Sequence, residues 1–339
     1  MICDLMAELM HHGPPHRSTG FYPVRQEAIG VGSAFEGWSP CAQDTVYSVL
    51  VPLSPPRGHT FHLELDAADM PQRNFRVRVG LLCTCRGAHK RMDMLCFLHY
   101  REEILRRLQG RSLLDTLCTD SYLDVEKTVQ WFCRFLRRVW VVFLRPRHWR
   151  IRALPSSRSC RFQVSKGEES FMGEIIFGVR RGDSDIFVGS QPAEVGVPST
   201  TWIETCAVAE AKFFRHISRR APQDSWHCKC LQLLSHSLMG VGFSSYTLKT
   251  VLMHLLNTIP LTQWGSRDFP QRLVDVLKYL RRSLKTKRLH HFVIGNERFP
   301  LEISVPSEFR LAEPLNLFQH LASDPDAHGK AMQEYDHLL

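Results

Sequence analysis

Val31-Gly32-Ser33-Ala34-Phe35-Glu36-Gly37-Trp38, a Ser-Pro turn, and then Asp44-Thr45-Val46-Tyr47-Ser48-Val49-Leu50-Val51-Pro52-Leu53 form the stretch on which the reading of the fold rests. Small residues such as Gly32 and Ser33 let backbone N–H groups approach phosphate oxygens. An apolar strand that follows, with carboxylates two residues apart, can share divalent cations on one face. A metal pair that begins at Asp44 needs its second carboxylate at position 46, and position 46 is Val46. Valine offers no lone pair, and neither Tyr47 nor Ser48 replaces a charged oxygen ligand. Gly32 and Ser33 remain candidates for cradling an anion. The competing reading is a tight turn before an edge strand.

Working outward, 339 residues with 44% hydrophobic content suffice for one large or two medium globular cores. No stretch reaches the length of a membrane span, and Met1 to Met10 lacks the basic start and long apolar core of a signal peptide. The net charge of +9 admits an acidic partner or an anionic membrane surface. Two basic clusters stand out: Arg137, Arg138, Arg145, Arg147, Arg150 and Arg152, then Arg281, Arg282, Lys285, Lys287 and Arg288. Much of this charge alternates with apolar residues and reads as the solvated face of amphipathic helices.

The eleven scattered cysteines fit reduced thiols better than a disulfide framework, with Cys96, Cys133 and Cys206 at apolar helical positions. Cys83-Thr84-Cys85 and His227-Cys228-Lys229-Cys230 carry chelating residue types. Neither has a second pair at zinc-finger spacing, so no metal site and no cofactor are expected.

Met1 to His12 has the pattern of the end of an amphipathic helix, followed by a Pro-Gly-rich connector. Period-two alternation predicts strands at Thr45 to Pro52, Thr60 to Leu65 and Phe75 to Leu82. A helix is predicted over Leu114 to Leu144. Further strands follow at Cys160 to Val164, Phe171 to Val179 and Ile186 to Ser190, with Glu174 in mid-strand as a possible third carboxylate. From Ser199 onward the pattern reads as helical, with helices over Thr205 to Ser218, Cys230 to Gly240, Tyr246 to Thr258 and Phe269 to Leu284. Ser244 or Ser245 is the expected cap of the third of these. The domains predicted are 1–22, helix end and connector; 23–195, a mixed-sheet palm; and 196–339, a helical lobe.

The helical half carries a recognisable set of segments. Trp202, Glu204 to Glu210, Phe213 to Ile217, Phe243 to Thr250, Thr262-Gln263-Trp264 and Leu289 to Asn296 resemble the Mab-21 superfamily. With Val31 to Trp38 and Ala312 to Phe318 added, the chain is more closely similar to the inositol trisphosphate receptor-interacting protein-like family. The resemblance implies an α+β architecture like that of cyclic GMP-AMP synthase: a nucleotidyltransferase palm followed by a helical lobe. Gly32 and Ser33 match the family's Gly-Ser turn and Asp44 its first acid. Val46 departs from the second acid, and Glu174 is the candidate match for the third.

Loss of one metal-binding carboxylate removes electrostatic stabilisation of the transferred phosphoryl group. A catalytically inactive member is therefore expected, with Asp44 and Glu174 as degenerate remnants. The resemblance further implies a membrane-associated interaction module. Its partner would be a membrane protein or receptor, the inositol trisphosphate receptor among them, and no specific nucleic acid. It also implies a single-pass anchor, which this chain lacks, so the native product is expected to be longer. One alternative is a nucleotide or inositol-phosphate sensor using Gly32, Ser33 and Lys249. Another is an active enzyme using Asp44, Glu174 and a further acid such as Glu64.

Overall fold

Val49 to Leu53 are buried without a break, so the strand Val46–Ser54 lies inside the sheet, covered on both faces, rather than at an edge. Its neighbour Glu169–Arg180 runs parallel to it, with Val46 opposite Met172 and Pro52 opposite Gly178. Pro52, which cannot donate to a ladder, stands at the end of that pairing. The computed structural model describes residues 20–40, 45–66, 73–85, 94–141, 148–191, 196–237 and 244–336. The expected helix Met1 to His12, Asp44, Arg145, Arg147, and Gly242-Phe243 lie outside the described residues.

The chain divides into two compact units, residues 1–30 with 46–205 and residues 31–45 with 206–339. The architecture is α+β: a mixed sheet in the first unit and helices in the second. Antiparallel ladders extend the parallel pair. Two branches run along the outer edge of Glu169–Arg180: Cys160–Lys166, carrying Arg150–Leu154, pairs with residues 169–175, and Phe187–Gly189 pairs with residues 178–180 and leads on to Thr201–Thr205, Asn74–Leu81 and His59–Leu65. The helix Val125–Val139 buries Val125, Val129, Phe132 and Leu136. Phe132 meets Phe177 of the sheet edge-on at 5.1 Å between centroids.

Two expectations are corrected here. The helix predicted over Leu114 to Leu144 is interrupted: Leu113–Leu117 ends in a tiny hairpin of Cys118–Thr119 and Tyr122–Leu123 before Val125–Val139 begins. Asp120 and Ser121 adopt positive φ of 49° and 66°, a left-handed turn that no helix can pass through. Asp124 then caps the new helix by accepting from the Lys127 backbone N–H.

The second correction concerns residues 199–205, read as the start of the helical half. Thr201–Thr205 is a strand paired on both sides, and the junction between units falls after Thr205 rather than at 195–196. The buried Arg158 guanidinium donates to the carbonyls of Gln191, Pro198 and Thr201. These bonds fix the approach to that strand from within the sheet unit.

The second unit is built on the helices Ala207–Arg220, His227–Ser237, Ser245–Leu256 and Phe269–Thr286. Ser244 is the cap of the third, its hydroxyl accepting from the Thr247 backbone N–H at 3.2 Å. Phe213, Phe214, Leu248, Val251, Leu252, Leu280 and Phe292 fill the core between them. Asn316 ties two distant segments together: its side-chain carbonyl accepts from Leu289 N–H, and its amide donates to the Lys287 carbonyl. His291 N–H and Leu317 N–H complete the link to Leu315 and Leu289. Gly295, at φ 75°, passes so close to Pro314 that an added Cβ would lie 2.7 Å from its Cα. No helix among the described residues is long and apolar enough to cross a membrane.

Candidate functional site

Each expected site residue has a defined setting within its own unit, apart from Asp44, which lies outside the described residues. In the sheet unit, Glu174 points from mid-strand toward hydroxyls rather than toward other acids. Its Oε1 accepts from Ser159 Oγ at 2.7 Å and its Oε2 from Ser48 Oγ at 3.4 Å, while Arg161 Nε lies 3.8 Å away. These donors satisfy a lone carboxylate. Glu64, the further acid considered, pairs with Arg78 and accepts from Tyr122 Oη at 2.9 Å. The two hydrogen bonds, from Arg78 and then Tyr122, hold its carboxyl below the usual range.

Gly32, Ser33 and Lys249 belong to the helical unit. Gly32, at φ 77°, opens a one-turn helix Ser33–Glu36 closed by Gly37 in the left-handed region. Only glycine enters such angles without strain. Ser33 Oγ faces Ser39 Oγ at 3.4 Å. The short turn delivers Glu36 into the interior, where its carboxylate is bound on both oxygens. Oε2 accepts from the indole N–H of Trp38 at 2.7 Å, and Oε1 from Lys249 Nζ at 2.7 Å.

Lys249 is therefore neither a solvated surface lysine nor an open cation. It is 5% exposed, and its ammonium also donates to Glu210 Oε2 at 2.7 Å. The chain of contacts continues beyond Glu210. Its Oε1 accepts from Tyr246 Oη at 2.8 Å, and Tyr246 Oη lies 2.9 Å from His291 Nε2. His291 Nδ1 accepts from the backbone N–H of Val293 and Ile294. With Nδ1 an acceptor, the neutral imidazole carries its proton on Nε2 and donates to Tyr246, whose own proton goes to Glu210. A continuous buried relay thus runs from the His291 loop through Tyr246, Glu210 and Lys249 to Glu36 and Trp38.

The electrostatics follow from two acids sharing one lysine. Burial raises the Glu36 carboxyl more than Lys249 lowers it, so Glu36 lies above the ordinary carboxylate value. Burial pushes Glu210 the same way, but the Lys249 ammonium and the hydrogen bonds from Lys249 and Tyr246 outweigh it, and Glu210 lies below. Burial works against the Lys249 ammonium, yet Glu210 and Glu36 together raise its pKa. Burial lowers His291, which agrees with the neutral tautomer that the hydrogen bonds require.

Sequence reasoning singled out Lys249 but missed its two carboxylates, Glu36 and Glu210, which stand 213 and 39 positions away. No local spacing announces such partners. The Glu36-Gly37-Trp38 turn is the one available signal, an acid beside an indole donor in an otherwise apolar run. A second feature of the helical unit is an open groove of about 810 Å³, lined by His254, Tyr279, Arg282, Ser283, Arg288 and His290. Tyr279 stacks on His254 with ring centroids 5.8 Å apart. The groove recruits Arg282 and Arg288 from the second basic cluster seen in the sequence.

His227, Cys228 and Cys230 do not converge. His227 Nδ1 pairs with Ser225 Oγ at 2.8 Å, Cys228 Sγ lies against the Glu36 carbonyl, and Cys230 is fully buried in the helix core.

The helical unit defines the class of the molecule: residues 228–297, which include Lys249 and His291, match the Mab-21 protein HhH/H2TH-like domain. Along most of its length the chain is 37% identical over 331 residues to inositol 1,4,5-trisphosphate receptor-interacting protein-like 1 of Rattus norvegicus, covering 94% of this chain and 60% of that protein. It is 32% identical over 343 residues to inositol 1,4,5-trisphosphate receptor-interacting protein of Homo sapiens, covering 93% of this chain and 62% of the relative. Over most of its length the chain is therefore similar to the inositol 1,4,5-trisphosphate receptor-interacting proteins, with a Mab-21 domain in its helical unit. It spans about three fifths of the length of these relatives.

Proposed function

We propose that the chain is a catalytically inactive member of the nucleotidyltransferase-like fold, acting as an interaction and regulatory module of a membrane-associated assembly. The observation that carries this reading is Val46, which stands where the second metal-binding carboxylate would have to be. Two settings support it. Glu174 is satisfied by hydroxyls and a guanidinium, and the Lys249 ammonium is already divided between Glu36 and Glu210. For Lys249 to receive a phosphate it would have to abandon two buried carboxylates, at a cost of several kcal/mol.

The relatives' names supply the partner for this reading, the inositol 1,4,5-trisphosphate receptor. Co-purification of the tagged chain with that receptor from detergent-solubilised membranes tests it. Retention of the receptor is expected, and it is to survive Glu174→Gln. Absence of the receptor from the bound fraction would overturn the partner assignment.

The groove at Arg282 and Arg288 favours a second reading, a sensor of a polyanion such as a nucleotide or inositol phosphate. Two guanidiniums, two imidazoles and a serine hydroxyl suit phosphate oxygens. Calorimetric titration with ATP, GTP and inositol phosphates, with and without Mn²⁺, distinguishes the two places where an anion could sit. Binding lost in Arg282→Ala with Arg288→Ala assigns the groove, and binding lost in Ser33→Ala assigns the Gly-Ser turn. No binding leaves the interaction module alone.

A further inference from the structure

We propose that Cys83, Cys85, Cys96 and His99 form a tetrahedral structural zinc site in the sheet unit, independent of the function proposed above. One ligand atom from each of the four lies within 4.8 Å of every other. Cys85 Sγ is 3.0 Å and Cys83 Sγ 3.8 Å from His99 Nδ1. Zinc bound at about 2.3 Å to sulfur and about 2.0 Å to nitrogen spreads its tetrahedral ligands roughly 3.5–3.8 Å apart. The two sulfur–nitrogen distances bracket that spacing, so the four side chains close on an ion with small movements.

The supporting structure explains why they meet. The strand Asn74–Leu81 ends with Leu82 N–H donating to the Gly58 carbonyl, and the chain leaves the end of this inner strand as Cys83-Thr84-Cys85. The return segment Cys96–His99 is a tight turn, with His99 N–H and Tyr100 N–H both donating to the Cys96 carbonyl at 3.2 Å. Gln109 grips the residue before it from both sides, accepting from Leu95 N–H at 2.7 Å and donating to the Leu95 carbonyl at 2.9 Å. Phe97, inside the turn, is buried against Phe21 and His59, each ring centroid 4.9 Å away. Both arms are thus fixed by groups that are not ligands, as metal sites require of their surroundings.

The chemistry selects the ion. Three thiolates and one neutral imidazole are the donors of structural zinc, and with all four positions held by protein no place remains for a reactive water. On binding, each of the three S–H bonds releases its proton to solvent as a sulfur–zinc bond forms, and His99 coordinates through Nδ1. Cys96 is 2% exposed, while Cys83, Cys85 and His99 are exposed, so the ion enters from solvent onto a buried floor.

Metal analysis of the whole chain, purified without chelators from zinc-supplemented cells, tests the proposal. One zinc per chain is expected. Cys85→Ser and His99→Ala should each weaken zinc binding at least about 10-fold, the scale on which even an outer partner's loss acts. Cys228→Ser, in the other unit, should retain full occupancy. Should the ligand variants fail to fold, the wild-type chain itself is stripped with a chelator and titrated with Co²⁺. Tetrahedral d–d absorption with thiolate-to-cobalt charge transfer, displaced by an equal amount of zinc, is expected. Wild-type chain without zinc, an octahedral cobalt spectrum, or zinc that persists unweakened in both ligand variants would overturn the assignment.

Discussion

Cys83-Thr84-Cys85 and Cys228-Lys229-Cys230 share one spacing, and each has a histidine in reach, yet they come to opposite ends. The first pair sits on an irregular segment beyond the end of an inner strand, where consecutive side chains are free to turn toward one centre. There it meets Cys96 and His99, which a separate turn brings back. The second pair lies on the helix His227–Ser237, and residues two apart on a helix point about 200° away from each other. Cys230 consequently faces the core while Cys228 faces the Ser33–Glu36 turn. The comparison teaches that backbone type, more than residue spacing, decides whether chelating side chains converge. Where they do not converge, the helical unit ties its distant segments together with a buried ion-pair relay instead.

The largest expected effect separates the two devices. Chelation of the bound zinc should lower the melting transition of the sheet unit, because the metal's binding free energy adds to the stability of the arms it joins. The same treatment should leave the helical unit's melting transition in place, and differential scanning calorimetry reads both. Next comes Lys249→Met. It strands two buried carboxylates and should destabilise the helical unit by about 3–5 kcal/mol in urea denaturation, with no change in metal content.

The third prediction concerns pH. His227 is buried, its Nε2 has no hydrogen-bond partner among the described residues, and burial lowers its pKa to about 4 from an ordinary 6.5. The unfolded chain therefore takes up this proton before the folded one does. Stability from this group is complete above pH 6.5 and is lost as the pH falls from 6.5 toward 4, by on the order of 3 kcal/mol. A His227→Asn variant should flatten that slope. Smallest is Cys230→Ser, a hydroxyl placed in a fully buried site, which should cost about 1–3 kcal/mol and leave the zinc content unchanged.

Much of the sheet was legible in the sequence because its strands alternate cleanly or run as unbroken apolar stretches, as at Val49 to Leu53. The Ser244 cap was legible because its hydroxyl acts on the next turn of its own helix. The hairpin at Asp120 and Ser121 was not. Apolar residues on both sides of it keep helical register, and only the positive φ angles reveal the break. Cys96 was read as a core helix position because Leu95, Phe97 and Leu98 surround it. The burial is real, but it comes from a turn anchored by Phe97. Glu36 and Glu210 were beyond reach for another reason. Tertiary folding brings them to Lys249, and an isolated carboxylate in sequence carries no mark of its eventual partner.

The central claim is that this chain engages a partner without turning over nucleotide, and one assay addresses it most directly. Wild-type chain and Asp44→Ala are incubated with ATP and GTP in the presence of Mg²⁺ or Mn²⁺, and the products are resolved by mass spectrometry. The account predicts no nucleotidyl-transfer product from either chain. Product formed by the wild type and abolished by Asp44→Ala would contradict it, and would mean that a carboxylate other than one at position 46 completes a working metal site.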